Sequence, residues 1–365
     1  MATPYLSTKT EVLASQQPVE PSQARAAQIP LQNFNLPTFP PEAFSAGLES
    51  LILTSDIKLD EYTTLLTQPF SIPDLPSTIT SLTLELFSLG YPPSFLSELG
   101  KRLPGLKALT LYSQLFAGTT RDSHEDAVTF IRQQKSLREV HFLDVFAPHD
   151  VFSSLLSALG QEVKFVEISY TFRHSDAGFL RSVPGKDILA GLKGGLVGFT
   201  ACVTSPEVTE DEEDREGTEQ GMRPISGEGE GEVLVRRLKE VGEGLVMVDV
   251  TMFEVSVPEV QSILESCKSV RVLSLSVGLE NGWGEVLNVI GKEGKGVGIE
   301  ELEIVGVPRI ELVERLKGSG GLVIEEGELG ALGERCKGLK SLKVSVLRTG
   351  LEWWVRNGEQ WVKKT

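Results

Sequence analysis

Leu103-Pro-Gly-Leu-Lys-Ala-Leu-Thr-Leu111 and Cys267-Lys-Ser-Val-Arg-Val-Leu-Ser-Leu275 share one pattern: a turn-forming pair, an apolar residue followed by a basic one, then two apolar residues spaced by one. Gln134-Lys-Ser-Leu-Arg-Glu-Val-His-Phe142 and Cys336-Lys-Gly-Leu-Lys-Ser-Leu-Lys-Val344 repeat it. A period of two sends successive side chains to opposite faces, so each stretch predicts a short strand with one buried face, entered from a turn.

Reduced to its apolar positions, the pattern recurs at Leu48-Leu51-Leu53, Ile79-Leu82-Leu84, Leu106-Leu109-Leu111, Leu137-Val140-Phe142 and Val163-Val166-Ile168. It continues at Leu196-Phe199-Ala201, Leu245-Val248-Val250, Val270-Leu273-Leu275, Ile299-Leu302-Ile304 and Leu339-Leu342-Val344. With 40% apolar residues, three such positions agree by chance at about one start in sixteen, so spacing has to decide. The starts lie 31, 27, 31, 26, 33, 49, 25, 29 and 40 residues apart, and the longest gap contains an acidic, Gly-rich stretch. Between the strands lie windows with helix-start chemistry. Ser123 opens an amphipathic run, Pro148 to Gly160 ends on glycine, and Ser256-Val-Pro-Glu places Ser, Pro and Glu in a first turn. Further helices are predicted over 94–102, 233–241, 309–316 and 328–336.

Strand then helix, at about 30 residues per unit, predicts an α/β solenoid of about ten units with a curved parallel sheet over 48–347. The doubly wound α/β enzyme is the rival fold, but its strands read as continuous Val/Ile runs after a Gly-rich first turn, whereas these alternate with polar residues. Residues 1–47, rich in proline and without apolar period, are expected to form a disordered arm. Residues 207–232 carry eleven acidic side chains against Arg215 and Arg223 and predict a disordered acidic insertion. Residues 348–365, with Trp353, Trp354 and Trp361, are expected to cap the final unit.

In its four matching junctions, with Cys or Pro ahead of the strand, the chain resembles the irregular leucine-rich repeats of intracellular proteins, particularly the fungal type found downstream of F-boxes. The resemblance covers about 48–347. The Asn or Cys of that family's repeat is replaced here, by Gln114 and Gly278 for example, so no Asn ladder is expected. The resemblance implies a protein-interaction module and, taken further, substrate recognition for a ubiquitin ligase. That adaptor reading is the alternative, because 36–44 offers only a fragment of an F-box.

The chain has 365 residues and a formal charge of -16, of which the acidic stretch supplies -9. Acidity on this scale argues against nucleic acid as a partner. No apolar run approaches the roughly 18 residues of a membrane span, and the first residues lack the apolar centre of a secretory signal. Three cysteines fit a reducing compartment, so cytoplasm or nucleus is expected, with the protein a monomer.

No catalytic, metal or cofactor site is expected. The Gly-rich stretches 191–198 and 291–298 precede strands rather than the helix N-terminus that a phosphate loop needs. His124, His141, His149 and His174 lack ligand spacing, and Cys267 and Cys336 occupy equivalent turns as small buried residues. The informative positions are those pointing away from the core, on the concave face where solenoids dock partners. Among them Thr110, Tyr112, His141, Glu167, Ser274 and Lys343 are candidates for partner binding. Lys107, Arg138, Lys164, Arg271 and Lys340 each follow a first apolar position and are expected to align as a basic row along the sheet's leading rim. Such a row would bind an acidic segment, of a protein partner or of the chain's own 207–232.

Overall fold

The computed structural model describes residues 25–31, 44, 47–55, 61, 63–64, 71–85, 90–171, 181–204, 224–225, 229–316 and 322–364. These form one sheet of thirteen strands whose spatial order follows the chain. The strands are β1 (Ala26–Pro30), β2 (Ser50–Thr54), β3 (Ser81–Glu85), β4 (Ala108–Tyr112), β5 (Glu139–Leu143), β6 (Phe165–Thr171) and β7 (Gly198–Thr204). They continue with β8 (Met247–Val255), β9 (Val272–Leu279), β10 (Glu301–Pro308), β11 (Ser341–Val346), β12 (Thr349–Asn357) and β13 (Gln360–Lys364). Strands β1 to β11 are parallel, and β12 and β13 turn back antiparallel.

All ten predicted strands are present as β2 to β11, and all thirty apolar positions of the pattern are at most 2% exposed. Their register is continuous at the second apolar position: Leu51, Leu82, Leu109, Val140, Val166, Phe199, Val248, Leu273, Leu302 and Leu342 pair in succession, and β8 and β9 shift register only beyond Asp249. A slip of one residue would send every such side chain to the opposite face, at about 1.5–3 kcal/mol apiece, which fixes the pairing.

Among the described residues, eight α-helices have full ranges between the strands: α1 (Phe95–Arg102), α2 (Arg121–Gln133), α3 (His149–Ala158), α4 (Gly231–Val241), α5 (Val257–Ser266), α6 (Trp283–Leu287), α7 (Ile310–Leu316) and α8 (Glu326–Arg335). A 3-10 helix (Gly185–Gly191) fills the place between α3 and α4. Neighbouring helices pack on one another along the array and enclose a single core against the sheet. Seven of the helices match the sequence expectations. The short α6 departs from them, since five residues show no period. Helix α2 begins earlier than Ser123 because Thr120 is the cap: the Ser123 N–H donates to Thr120 Oγ1 (3.2 Å) and the Thr120 N–H to Ser123 Oγ (3.0 Å).

Helices need about 8–10 Å of width and strands about 4.8 Å, so a one-to-one stack curves with the sheet on the inside. The strand order never reverses, which removes the switch-point crevice of the doubly wound alternative. In place of an Asn ladder, individual side chains hold some turns. Asp144, at φ 51°, accepts the Thr171 N–H (2.7 Å), and the Tyr170 hydroxyl donates to the Val145 carbonyl (2.8 Å).

Residues 26–30 correct the expectation of an arm disordered throughout 1–47. Ala27 and Ile29 pair in register with Leu51 and Leu53, and Ile29 and Leu31 are buried. Pro30 masked this strand in the sequence, yet proline is tolerated at a sheet edge, where no further strand needs its missing N–H. Most of the acidic stretch 207–232 lies outside the described residues, and its last two, Gly231 and Glu232, begin α4.

Candidate functional site on the concave face

The helices cover one face of the sheet, and the opposite, concave face carries the side chains between the buried positions. Its central row runs Thr83, Thr110, His141, Glu167, Thr200, Asp249, Ser274, Glu303, Lys343 across successive strands. A second row runs Ala108, Glu139, Phe165, Gly198, Met247, Val272, Glu301, Ser341. The expected face residues Thr110, His141, Glu167, Ser274 and Lys343 therefore share one line, and Tyr112 stands at the far end of β4, opposite Leu143.

The line is chemically uneven. On β5 and β6, His141 Nδ1 and Glu167 Oε2 are 2.6 Å apart, and the His141 ring lies 5.5 Å from that of Phe165. Phe165 also reaches the next strand: a Cβ on Gly198 would stand 2.5 Å from its ring, so the glycine is what lets this aromatic side chain lie across β7. On β8, Asp249 Oδ1 accepts the backbone N–H (3.1 Å) and hydroxyl (2.8 Å) of Thr251. The Thr251 hydroxyl in turn accepts a 2.6 Å bond from Arg348 Nη2, which comes from the turn between β11 and β12. Leu347 and Arg348 both hold left-handed backbone there (φ 49° and 64°), which turns the hairpin. Ser276 donates to the Thr251 carbonyl (2.6 Å), and Arg309 pairs with Glu254 (2.7 Å).

Burial, with the charge of Glu303 adding to it, pushes the Asp249 carboxyl up to about 6, against the opposing pull of Arg348 and of the two Thr251 bonds. Burial likewise raises the thiol of Cys202, the neighbour of Ser169 on β6, well above its usual range.

The leading rim differs from the sequence expectation. Lys107, Arg138 and Lys164 do follow one another, each N–H of the later residue bonding the preceding carbonyl, but Val197 and Val246 come next before Arg271, Glu300 and Lys340. The basic row is thus two short segments. Arg138 pairs with Glu162 (2.6 Å), Arg271 (3.2 Å) and Lys340 (2.5 Å) share Glu300, and Lys164 Nζ donates to the Gly195 carbonyl (3.1 Å). Two carboxylates, Glu162 and Glu300, thus form ion pairs with three of its five cations.

Sequence reasoning placed Asp249 on the face without singling it out. It missed Arg348, which lies beyond the repeat pattern, and Gly198, whose signal was a small residue where other units carry larger ones. Among the described residues no His/Cys/Asp/Glu group is arranged to hold a metal ion, and no helix is long and apolar enough to cross a membrane. A separate open cleft of about 1040 Å³ lies between α2 and α3, lined by Arg132, Lys135, Asp150 and Glu162 among others.

No protein-family model and no curated protein sequence matches the chain. Among solved structures it is similar to the leucine-rich repeat-containing protein LegL7 from Legionella pneumophila, at 12% identity and a TM-score of 0.42, covering 88% of this chain and 91% of that one. It is also similar to a chain of the Toll–Spatzle complex from Drosophila, at 13% identity and a TM-score of 0.21, covering 88% of this chain and 50% of that one.

Proposed function

We propose that the chain is a protein-interaction module that docks a partner on its concave face. The observation that carries this reading is the layering: helices cover only one side of an eleven-strand parallel sheet, and the other side presents in-register rows of charged and hydroxyl side chains. A parallel sheet is ordinarily covered on both faces, so an uncovered polar face marks a surface built to meet something else. The test is site-specific photo-crosslinking in cells of the source organism. Photoreactive residues at Thr110 and Lys343 should trap one common partner, and the same groups at Ser154 and Lys239 on the helices should not. Trapping confined to the helical positions would sink the reading.

The junctions that resemble repeats downstream of F-boxes support a more specific version, in which the docked protein is a ubiquitin-ligase substrate. Subunits of a ligase core should then copurify with the full-length chain. Their absence removes this version and leaves concave-face docking intact.

A further inference from the structure

We propose that the centre of the concave face, on β6 to β8, receives a lysine or arginine side chain from a basic partner segment, with Glu167 and Asp249 as the acidic flanks and Thr200 as the hydroxyl between them. The proposal rests on the docking reading above and adds the chemistry of the partner. Glu167, Thr200 and Asp249 are register neighbours on three successive strands, spaced by about one strand separation of 4.8 Å. Thr200 is 1% exposed, and its hydroxyl has no hydrogen-bond partner among the described residues. A buried hydroxyl without a partner is costly and uncommon, and here it points to a group that is supplied from outside.

Two further features fit a long cationic side chain. Phe165, lying across Gly198, and Met247 beside it form an apolar patch one row from the acids, suited to an aliphatic stem whose charged head sits among carboxylates. The chain's own Arg348 already brings a guanidinium to this place through Thr251, the residue that holds Asp249. Even so, Asp249 stays under-compensated, its carboxyl raised by burial with Glu303 adding to the effect, while Glu167 has His141 2.6 Å away on the side of β5. Glu139 and Glu301 extend the acidic character into the second row. The face, unlike its basic rim, is complementary to a basic segment.

The test uses the full-length protein and a fluorescein-labelled peptide of four lysines separated by glycines, with binding read by fluorescence anisotropy at near-physiological salt. Asp249→Asn and Glu167→Gln should each weaken binding about fivefold or more, and Arg348→Ala, which removes the internal competitor, should strengthen it. Glu334→Gln on α8 makes the same change of charge on an exposed helical position and should leave the affinity within about twofold. In Asp249→Asn the amide oxygen can still accept from Thr251, so the fold is expected to survive, and a thermal melt of each variant checks it. Equal effects of Asp249→Asn and Glu334→Gln would overturn the proposal, as would tighter binding of the corresponding glutamate peptide. Concave-face crosslinks together with an indifferent Asp249→Asn would overturn the basic-partner inference alone. Crosslinks confined to the helices would overturn the docking reading and this inference with it.

Discussion

At the scale of the residue, Asp249 links structure to pH. The folded protein holds its proton more tightly than the unfolded chain, whose carboxyl sits near 3.8. The stability contributed by this group is therefore full below about 3.8 and is lost as pH rises through about 6. Asp249→Asn should raise the melting temperature at pH 7.5 and leave it nearly unchanged at pH 4, and equal shifts at both would contradict the assignment. Gly198 gives a steric prediction. A methyl group 2.5 Å from the Phe165 ring forces that side chain off β7, so Gly198→Ala should cost about 1–3 kcal/mol in urea unfolding. Adding Phe165→Ala should recover part of that cost. The three cysteines are free and buried, and burial pushes the Cys267 thiol up to about 12. Ellman's reagent should find no reactive thiol in the native protein and three after denaturation.

At the scale of the element, the repeating triplets were fully legible. A buried strand flanked by turns leaves a period in the sequence, and each of the thirty positions is buried as the period requires. Leu273→Ala in β9, removing a side chain with 0% exposure, should cost about 2–5 kcal/mol, and a loss under about 1 kcal/mol would show that the array repacks around the gap. What was not legible has physical reasons. Strand β1 hides behind Pro30, whose usual meaning is the end of a strand, and only the sheet edge makes it admissible. The rim was visible residue by residue, yet its pairing was not. Glu300 follows the apolar Ile299 in the position that holds a base in neighbouring units, and it takes up both Arg271 and Lys340. The acidic centre of the face was hidden for a related reason: Glu167, Thr200 and Asp249 are far apart in the chain and become one patch only through register.

At the scale of the whole molecule, the parallel order gives way after β11. Strand β12 pairs antiparallel with β11, and its Trp354 is buried against the core. Trp361 Nε1 bonds the Leu329 carbonyl (3.0 Å), and Arg356 bonds the carbonyls of Cys336 (3.2 Å) and Lys337 (3.1 Å), tying the hairpin to α8 and to the turn after it. Removing residues 347–365 should lower stability by about 3–5 kcal/mol, the cost of losing one buried Trp, and an unchanged denaturation midpoint would show that the hairpin adds nothing to the stability of the array. The Arg348 bond gives this hairpin a second consequence. In a stack of repeats each unit ordinarily feels only its neighbours, so a disturbance fades within a step or two. The bond to Thr251 bypasses β9 and β10 and makes the middle of the array and its last hairpin thermodynamic partners. By reciprocity, a visitor that displaces this guanidinium loosens the end of the molecule, and a clamp on the end weakens the visitor's hold. The Trp353 and Trp354 indoles on β12 lie four strands from Thr251 on β8, so their emission should change when that guanidinium is displaced.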